Sequence, residues 1–266
     1  MLTVAIGGLG AIGLEVARAL DAGVDGLALI AASARDRDRA RARVSGFRAP
    51  PEVVDLPSLA AADIVVEAAP AGVFDAIAEP AVAAGRILLA CSAGALLPRM
   101  HLVEAARRSG GRIVVPTGAL LGLDAVRAAA EGNIASVRME TRKPPAGLAG
   151  APYLEEHGIT LDGLGGPLCV FRGNARAAAA GFPANVNVAA ALALAGIGAE
   201  RTEVEIWADP GVTRNTHTIR VEAEAARFTM TIEGVPSEAN PRTGRLTPLS
   251  VLACLRGLTA TLKVGS

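Results

Sequence analysis

Three histidines, His101, His157 and His217, are the side chains best suited to move a proton near neutral pH. His101 stands among Arg and Glu residues, and His157 lies in the turn Glu155-Glu156-His157-Gly158, so both suit solvated positions. His217 differs. In Asn215-Thr216-His217-Thr218-Ile219-Arg220-Val221 it shares strand parity with Ile219 and Val221, which points it to an apolar face. A proton-transfer role and a core histidine bonded to backbone both fit that placement. Thr141-Arg142-Lys143-Pro144-Pro145 puts two cations at a strand end, and Arg214 precedes His217; these charges suit a dicarboxylate or solvent equally. In Phe182-Pro183-Ala184-Asn185-Val186-Asn187-Val188, a helix is expected to start at Pro183. The amides of Asn185 and Asn187 would then either cap its first turn or meet a polar ligand.

The strongest local signal is Gly8-Leu9-Gly10-Ala11-Ile12-Gly13, placed between an apolar strand at 2–6 and a helix marked by Ile12, Val16, Ala19 and Leu20. In that context Gly8 permits a tight turn, Gly10 lets backbone approach a pyrophosphate, and Gly13 lets helix and strand pack closely. The spacing predicts a dinucleotide site. The second strand, 26–32, is followed by Ser33-Ala34-Arg35 rather than by a carboxylate that would hold a ribose. A hydroxyl and a guanidinium there suit a 2′-phosphate, so NAD or NADP is expected as cofactor. Arg35 also opens the solvated run Arg35-Asp36-Arg37-Asp38-Arg39, and both readings of it stand.

These residues need elements to hold them. Buried strands are expected at 63–69, 86–91 and 112–116, with helical stretches at 73–84 and 98–109 between them. Such alternation predicts a doubly wound parallel sheet of the Rossmann type. Ala69 and Pro70, Cys91 and Ser92, and Thr117-Gly118-Ala119 would follow the strand C-terminal ends, where the nicotinamide half of a cofactor lies. Cys91 could serve as a nucleophile for thiol-dependent oxidation, but no histidine lies nearby in sequence and a small buried thiol is expected. Beyond residue 120 the pattern changes to a helix near 122–131, a strand at 134–142, helical stretches at 172–180 and 183–196, and strands at 203–208, 216–224 and 227–233. Short connections between strands predict an α+β domain with helices on one face of an antiparallel or mixed sheet. The expected division is a dinucleotide-binding domain at 1–120, a substrate-binding and dimerisation domain at 121–240, and a C-terminal segment, 241–266, whose helix at 246–259 returns to the first domain.

Composition narrows the function classes. Over 266 residues, 51% are apolar, and Lys plus Arg balances Asp plus Glu at 26 each, so no net field is available to recruit nucleic acid or an anionic membrane. Cys91, Cys169 and Cys254 lie far apart and are odd in number, which argues against a disulfide framework or a zinc site. No metal is expected. The chain opens directly into an apolar strand and has no apolar run of about 18 residues, so a cytoplasmic location away from membranes is expected.

Taken together, several segments resemble the L-aspartate dehydrogenase family through nearly the whole chain. They are the glycine turn, Ser92-Ala93-Gly94-Ala95, Pro116-Thr117-Gly118-Ala119 with Gly122-Leu123-Asp124, and Thr141-Arg142-Lys143-Pro144-Pro145. The second half adds Phe182-Pro183-Ala184-Asn185-Val186-Asn187-Val188-Ala189, and Ala208-Asp209-Pro210 followed by Arg214-Asn215-Thr216-His217. The resemblance implies NAD(P)-dependent oxidation of L-aspartate to iminoaspartate, or amination of oxaloacetate in reverse, feeding NAD biosynthesis. It implies that His217 is the active-site histidine, that Ala119 and Asn185 contact the nicotinamide cofactor, and that the protein is a homodimer built through its second domain. Lys143, Asn187 and Arg214 are the expected substrate-binding residues. The family commonly carries an acidic residue after the second strand, where this chain has Ser33-Ala34-Arg35. Two other readings share the glycine loop: a different reductase, of the dihydrodipicolinate reductase or sugar dehydrogenase kind, and a dinucleotide-binding protein without catalysis.

Overall fold

The structure, a computed structural model, describes residues 1–183, 186–237 and 243–265. The chain forms two compact units: Met1–Gly118 with Thr247–Lys263, and Ala119–Leu246 with the last residues of the chain.

The first unit alternates strand and helix: β1 (Leu2–Gly7), α1 (Ala11–Ala22), β2 (Leu27–Ser33), α2 (Arg37–Val44), β3 (Glu52–Val53), β4 (Ile64–Glu67), α3 (Phe74–Ala83), β5 (Ile87–Ala90), α4 (Ala93–Leu96), α5 (His101–Ser109) and β6 (Arg112–Val114). Its six strands are parallel in the order β3-β2-β1-β4-β5-β6, so the winding direction reverses between β1 and β4. This is the Rossmann arrangement. A parallel sheet covered by helices on both faces needs strands that are apolar at every position, which explains the continuous runs. Val4, Ala5 and Ile6 of β1 and Ile64, Val65 and Val66 of β4 are fully buried. α1 turns Val16, Ala17 and Leu20 into the same core. Three short elements depart from the sequence reading, the one-turn helix α4 among them. Residues 37–44 fold into a helix because the Asp36 carboxylate accepts the Arg39 N–H and caps it, and Glu52–Val53 add a two-residue edge strand.

The second unit contains α6 (Leu123–Ala130), β7 (Ile134–Lys143), α7 (Pro152–Glu156), β8 (Leu168–Asn174), α8 (Ala175–Gly181), α9 (Asn187–Ala195), β9 (Thr202–Ala208), β10 (Asn215–Ala223) and β11 (Arg227–Gly234). The strands form a mixed sheet, β11-β10-β7-β9-β8, in which only the β7–β9 pair is parallel. Burial alternates along its inner strands, with Val137, Met139, Val204, Ile206, Ile219 and Val221 facing the α6, α8 and α9 side. The last helix, α10 (Leu246–Thr259), belongs from Thr247 onward to the first unit, where Val251 and Leu255 enter the core beside Val4, Ile6 and Leu20.

The expected helix at 172–180 is corrected. Residues 168–174 instead form the edge strand β8, paired antiparallel with β9, and the helix begins only at Ala175, where the Asn174 side chain caps the Ala177 N–H at 2.9 Å. The alanine run dominates a reading by propensity, but Val170 and Phe171 are strand formers, and Asn174 is a stop signal that the alanines masked. The helix expected from Pro183 also starts later, at Asn187. Phe182, the C-cap of α8, leaves the helical region at φ −132° and ψ 54° and packs fully buried against Tyr153 and Phe171, which takes the chain out of helix before Pro183.

Candidate functional site

In the first unit the candidate site residues gather at the C-terminal ends of adjacent parallel strands. Gly8 leaves β1 with φ +98°, and its N–H donates to the Ser33 carbonyl at the end of β2, 2.8 Å away. A Cβ at Gly8 would lie 2.5 Å from the Ala68 carbonyl oxygen, and one at Gly13 would lie 1.8 Å from that of Gly8. Both positions therefore exclude any side chain. Gly10 is the exposed N-cap of α1, and a Cβ there would meet nothing within 4 Å. The turn thus leaves open space where backbone N–H groups of Ala11 and Ile12 begin a helix, a cradle that fits a pyrophosphate. Leu9, between these glycines, is buried, and its carbonyl accepts from the Arg43 guanidinium at 2.6 Å.

Ser33 is buried at the end of β2, whereas Arg35 is exposed before α2. Ala69 and Pro70 follow β4, and Cys91 and Ser92 follow β5. A residue that the sequence reading passed over holds these two loops together. Glu67, the last residue of β4, is fully buried, and its carboxylate accepts the Ser92 N–H and hydroxyl, each at 2.9 Å, and the Ala69 N–H at 3.2 Å. Burial raises the Glu67 pKa despite those three donors. The signal was available in the run Ile64-Val65-Val66-Glu67, where a carboxylate ends an otherwise apolar buried strand. Cys91 lies beside it. Burial and the Glu67 charge push its thiol well above the ordinary range, which suits the small buried thiol rather than a nucleophile.

In the second unit, β7 and β10 bring three polar side chains onto the buried face. His217 pairs directly with Thr141 across the two strands, and Thr141 Oγ1 lies 3.1 Å from His217 Nδ1. Lys143 follows two residues later on the same face of β7. All three are buried, His217 to 3% exposure and Lys143 to 6%. Desolvation, joined by the Lys143 charge, lowers the His217 pKa to about 3. Burial lowers that of Lys143 to about 8. The imidazole is therefore neutral at physiological pH, and the ammonium is poised close to it. Thr141 and Lys143 also line a cavity of about 10 Å³, roughly the space of one water molecule, whose other walls include Val186 and Ala189.

The end of β7 is pinned by the Ala208-Asp209-Pro210 segment. The Asp209 N–H donates to the Lys143 carbonyl at 2.8 Å, and its buried carboxylate accepts from Gly211 N–H at 2.8 Å and from Arg142 at 3.1 Å. Asn187 is the exposed first residue of α9, next to the cavity-lining Val186. Arg214 is exposed in the segment that leads into β10, and Ala119 is half-buried at the start of the unit. Asn185 lies outside the described residues. His101 opens α5 and His157 stacks on Tyr153 at 3.9 Å, both at exposed positions.

Similarity to known proteins agrees with this geometry. Residues 124–258 match the family described as "Aspartate dehydrogenase, C-terminal", and residues 8–116 match "Homoserine dehydrogenase, NAD binding domain". The chain is 56% identical to an L-aspartate dehydrogenase of Bradyrhizobium diazoefficiens over all of this chain and 94% of that protein. It is 54% identical to L-aspartate dehydrogenase 3 of Bordetella bronchiseptica over all of this chain and 98% of that one. Among solved structures, aspartate dehydrogenase from Thermotoga maritima superposes with a TM-score of 0.75 at 26% identity, over the full length of both chains. With its Rossmann unit and its mixed-sheet second unit both matched, the chain belongs to the aspartate dehydrogenase family.

Proposed function

We propose that this protein catalyses NAD(P)-dependent oxidation of L-aspartate to iminoaspartate, or the amination of oxaloacetate in reverse, and so supplies a precursor of NAD. The observation that carries this reading is the buried row of His217, Thr141 and Lys143 in a chain whose other unit offers a pyrophosphate cradle. A bound nicotinamide would supply the hydride acceptor. The glycine turn from Gly8 to Gly13, with Ser33, Arg35, Ala69, Pro70, Cys91, Ser92, Ala119 and Asn185, is assigned to hold that cofactor. Lys143, Asn187 and Arg214 are assigned to the substrate, whose two carboxylates need cationic or amide partners and whose amino group needs a neighbouring polar side chain. His217 is assigned to the reacting centre. Its ring, fixed by Thr141, presents a neutral imidazole to the amino nitrogen or to the water that hydrolyses the imine.

Following nucleotide reduction with L-aspartate, against other amino acids and against polyols, tests the assignment. Turnover restricted to L-aspartate supports it, and turnover of polyols alone would reject it. We read the protein as a cytoplasmic homodimer; no described helix is long and apolar enough to cross a membrane. The proposed dimer is built through the second unit, whose mixed sheet has a face where Trp207 lies under the guanidinium groups of Arg142 and Arg172, at 4.8 and 5.9 Å.

A further inference from the structure

We propose that Lys143, rather than His217, is the base that removes the proton from the α-ammonium of the substrate. The inference rests on the functional reading above and assigns one step within it. Oxidation at a carbon bearing nitrogen needs the nitrogen lone pair, so the substrate must be deprotonated before hydride departs. In that step the Lys143 Nζ lone pair forms a new N–H bond, the ammonium N–H bond breaks, and its electron pair stays on the substrate nitrogen. This proton transfer is redox-neutral; oxidation at Cα would follow it, with a bound nicotinamide supplying the hydride acceptor.

Burial disfavours two positive charges in this cluster. Lys143 and His217 stand on one buried face of neighbouring strands, with Thr141 between them in register. Each is desolvated, and a charge on Lys143 further opposes protonation of His217. A proton entering the pair therefore resides on Lys143. Among the described residues, the charged and apolar neighbours of the pair keep this order. From the β9 end, Asp209 directs its carboxylate to Arg142 and Gly211 and only its N–H to the Lys143 carbonyl. From α8 and α9, the cavity beside Lys143 receives the apolar side chains of Ala178, Val186 and Ala189. Arg142 alternates to the other face of β7. An imidazole with a pKa of about 3 is a base weaker than an amine near 8 by a factor on the order of 10⁵, a poor match for an ammonium donor.

The chain has two lysines, Lys143 and Lys263, so protein labelled with ¹³C and ¹⁵N lysine gives a direct readout without substrate or nucleotide. Lys143 is expected to titrate near pH 8, and the Lys143→Arg variant identifies its resonance. In kinetics, kcat/KM for L-aspartate should rise through the same pH in the unaltered enzyme. Lys143→Arg should lose that limb and roughly 10²–10⁴ in rate while nucleotide affinity is retained. Lys143→Ala should be rescued by small primary amines in proportion to their free-base concentration. Rescue that instead follows the ammonium concentration, a Lys143 resonance in the ordinary lysine range, or a limb that persists in Lys143→Arg would each overturn the inference alone. Failure of the unaltered enzyme to oxidise L-aspartate would overturn the functional reading along with it.

Discussion

At the residue scale, His217 and Arg35 have roles separable by measurement. His217 is neutral and braced by Thr141, so its removal should affect the reacting centre and leave the glycine turn of the first unit intact. His217→Ala is expected to keep nucleotide affinity within a few fold and to lower turnover by roughly 10²–10⁴. Parallel nucleotide titrations and initial rates check this, and equal losses in both would mark a packing role. Arg35 is exposed just past β2, where a carboxylate would repel a 2′-phosphate and a guanidinium would attract one. Arg35→Asp should move the ratio of kcat/KM values away from NADP and toward NAD. An unchanged ratio would leave Arg35 as a solvated residue of the Arg35–Arg39 run.

At the scale of elements, the loops after β4 and β5 are held in register by one buried carboxylate. Glu67 collects two backbone N–H groups and a hydroxyl, and Ser92, which supplies two of those donors, is itself buried. Glu67→Ala would leave a buried N–H without its acceptor, a loss of about 2 kcal/mol in unfolding free energy. The same change should weaken nucleotide binding by about tenfold, since both loops lie at the strand ends where the cofactor is assigned. Urea unfolding and nucleotide titration of the variant test the two effects; unaltered affinity with lowered stability would confine Glu67 to a folding role. In the second unit, Asp209 does comparable work by tying the end of β9 to the last residue of β7, which fixes where Lys143 emerges.

At the scale of the whole molecule, buried titratable groups tie stability to pH. His217 has a folded pKa of about 3 against an ordinary value of 6.5, so below pH 6.5 the unfolded chain takes up a proton that the folded chain refuses. Stability contributed by the neutral ring is present above pH 6.5 and is lost progressively down to about 3. His217→Gln should therefore show a shallower fall in urea midpoint between pH 6.5 and 4.5; an identical slope would show that the ring is solvated. Lys143 works in another window. Its folded pKa of about 8 lies below the ordinary 10.5, so its buried charge costs stability below pH 8, and that cost is relieved between 8 and 10.5.

Much of this was legible along the chain. The glycine turn, the apolar strand runs and the parity of His217 with Ile219 and Val221 are local patterns. Backbone sterics and a period of two or 3.6 dictate their outcome wherever they occur. The edge strand β8 and the late start of α9 were not legible, because the alanines after Asn174 favour helix and only pairing with β9 or burial of Phe182 overrides that preference. Neither the partnership of Thr141 with His217, 76 residues apart, nor that of Glu67 with Ser92 has a sequence period. Strand register created both, and burial then set their charge. The type of each side chain was written in the sequence, but its protonation depended on tertiary structure, because desolvation and neighbouring charge exist only once distant strands have closed around it.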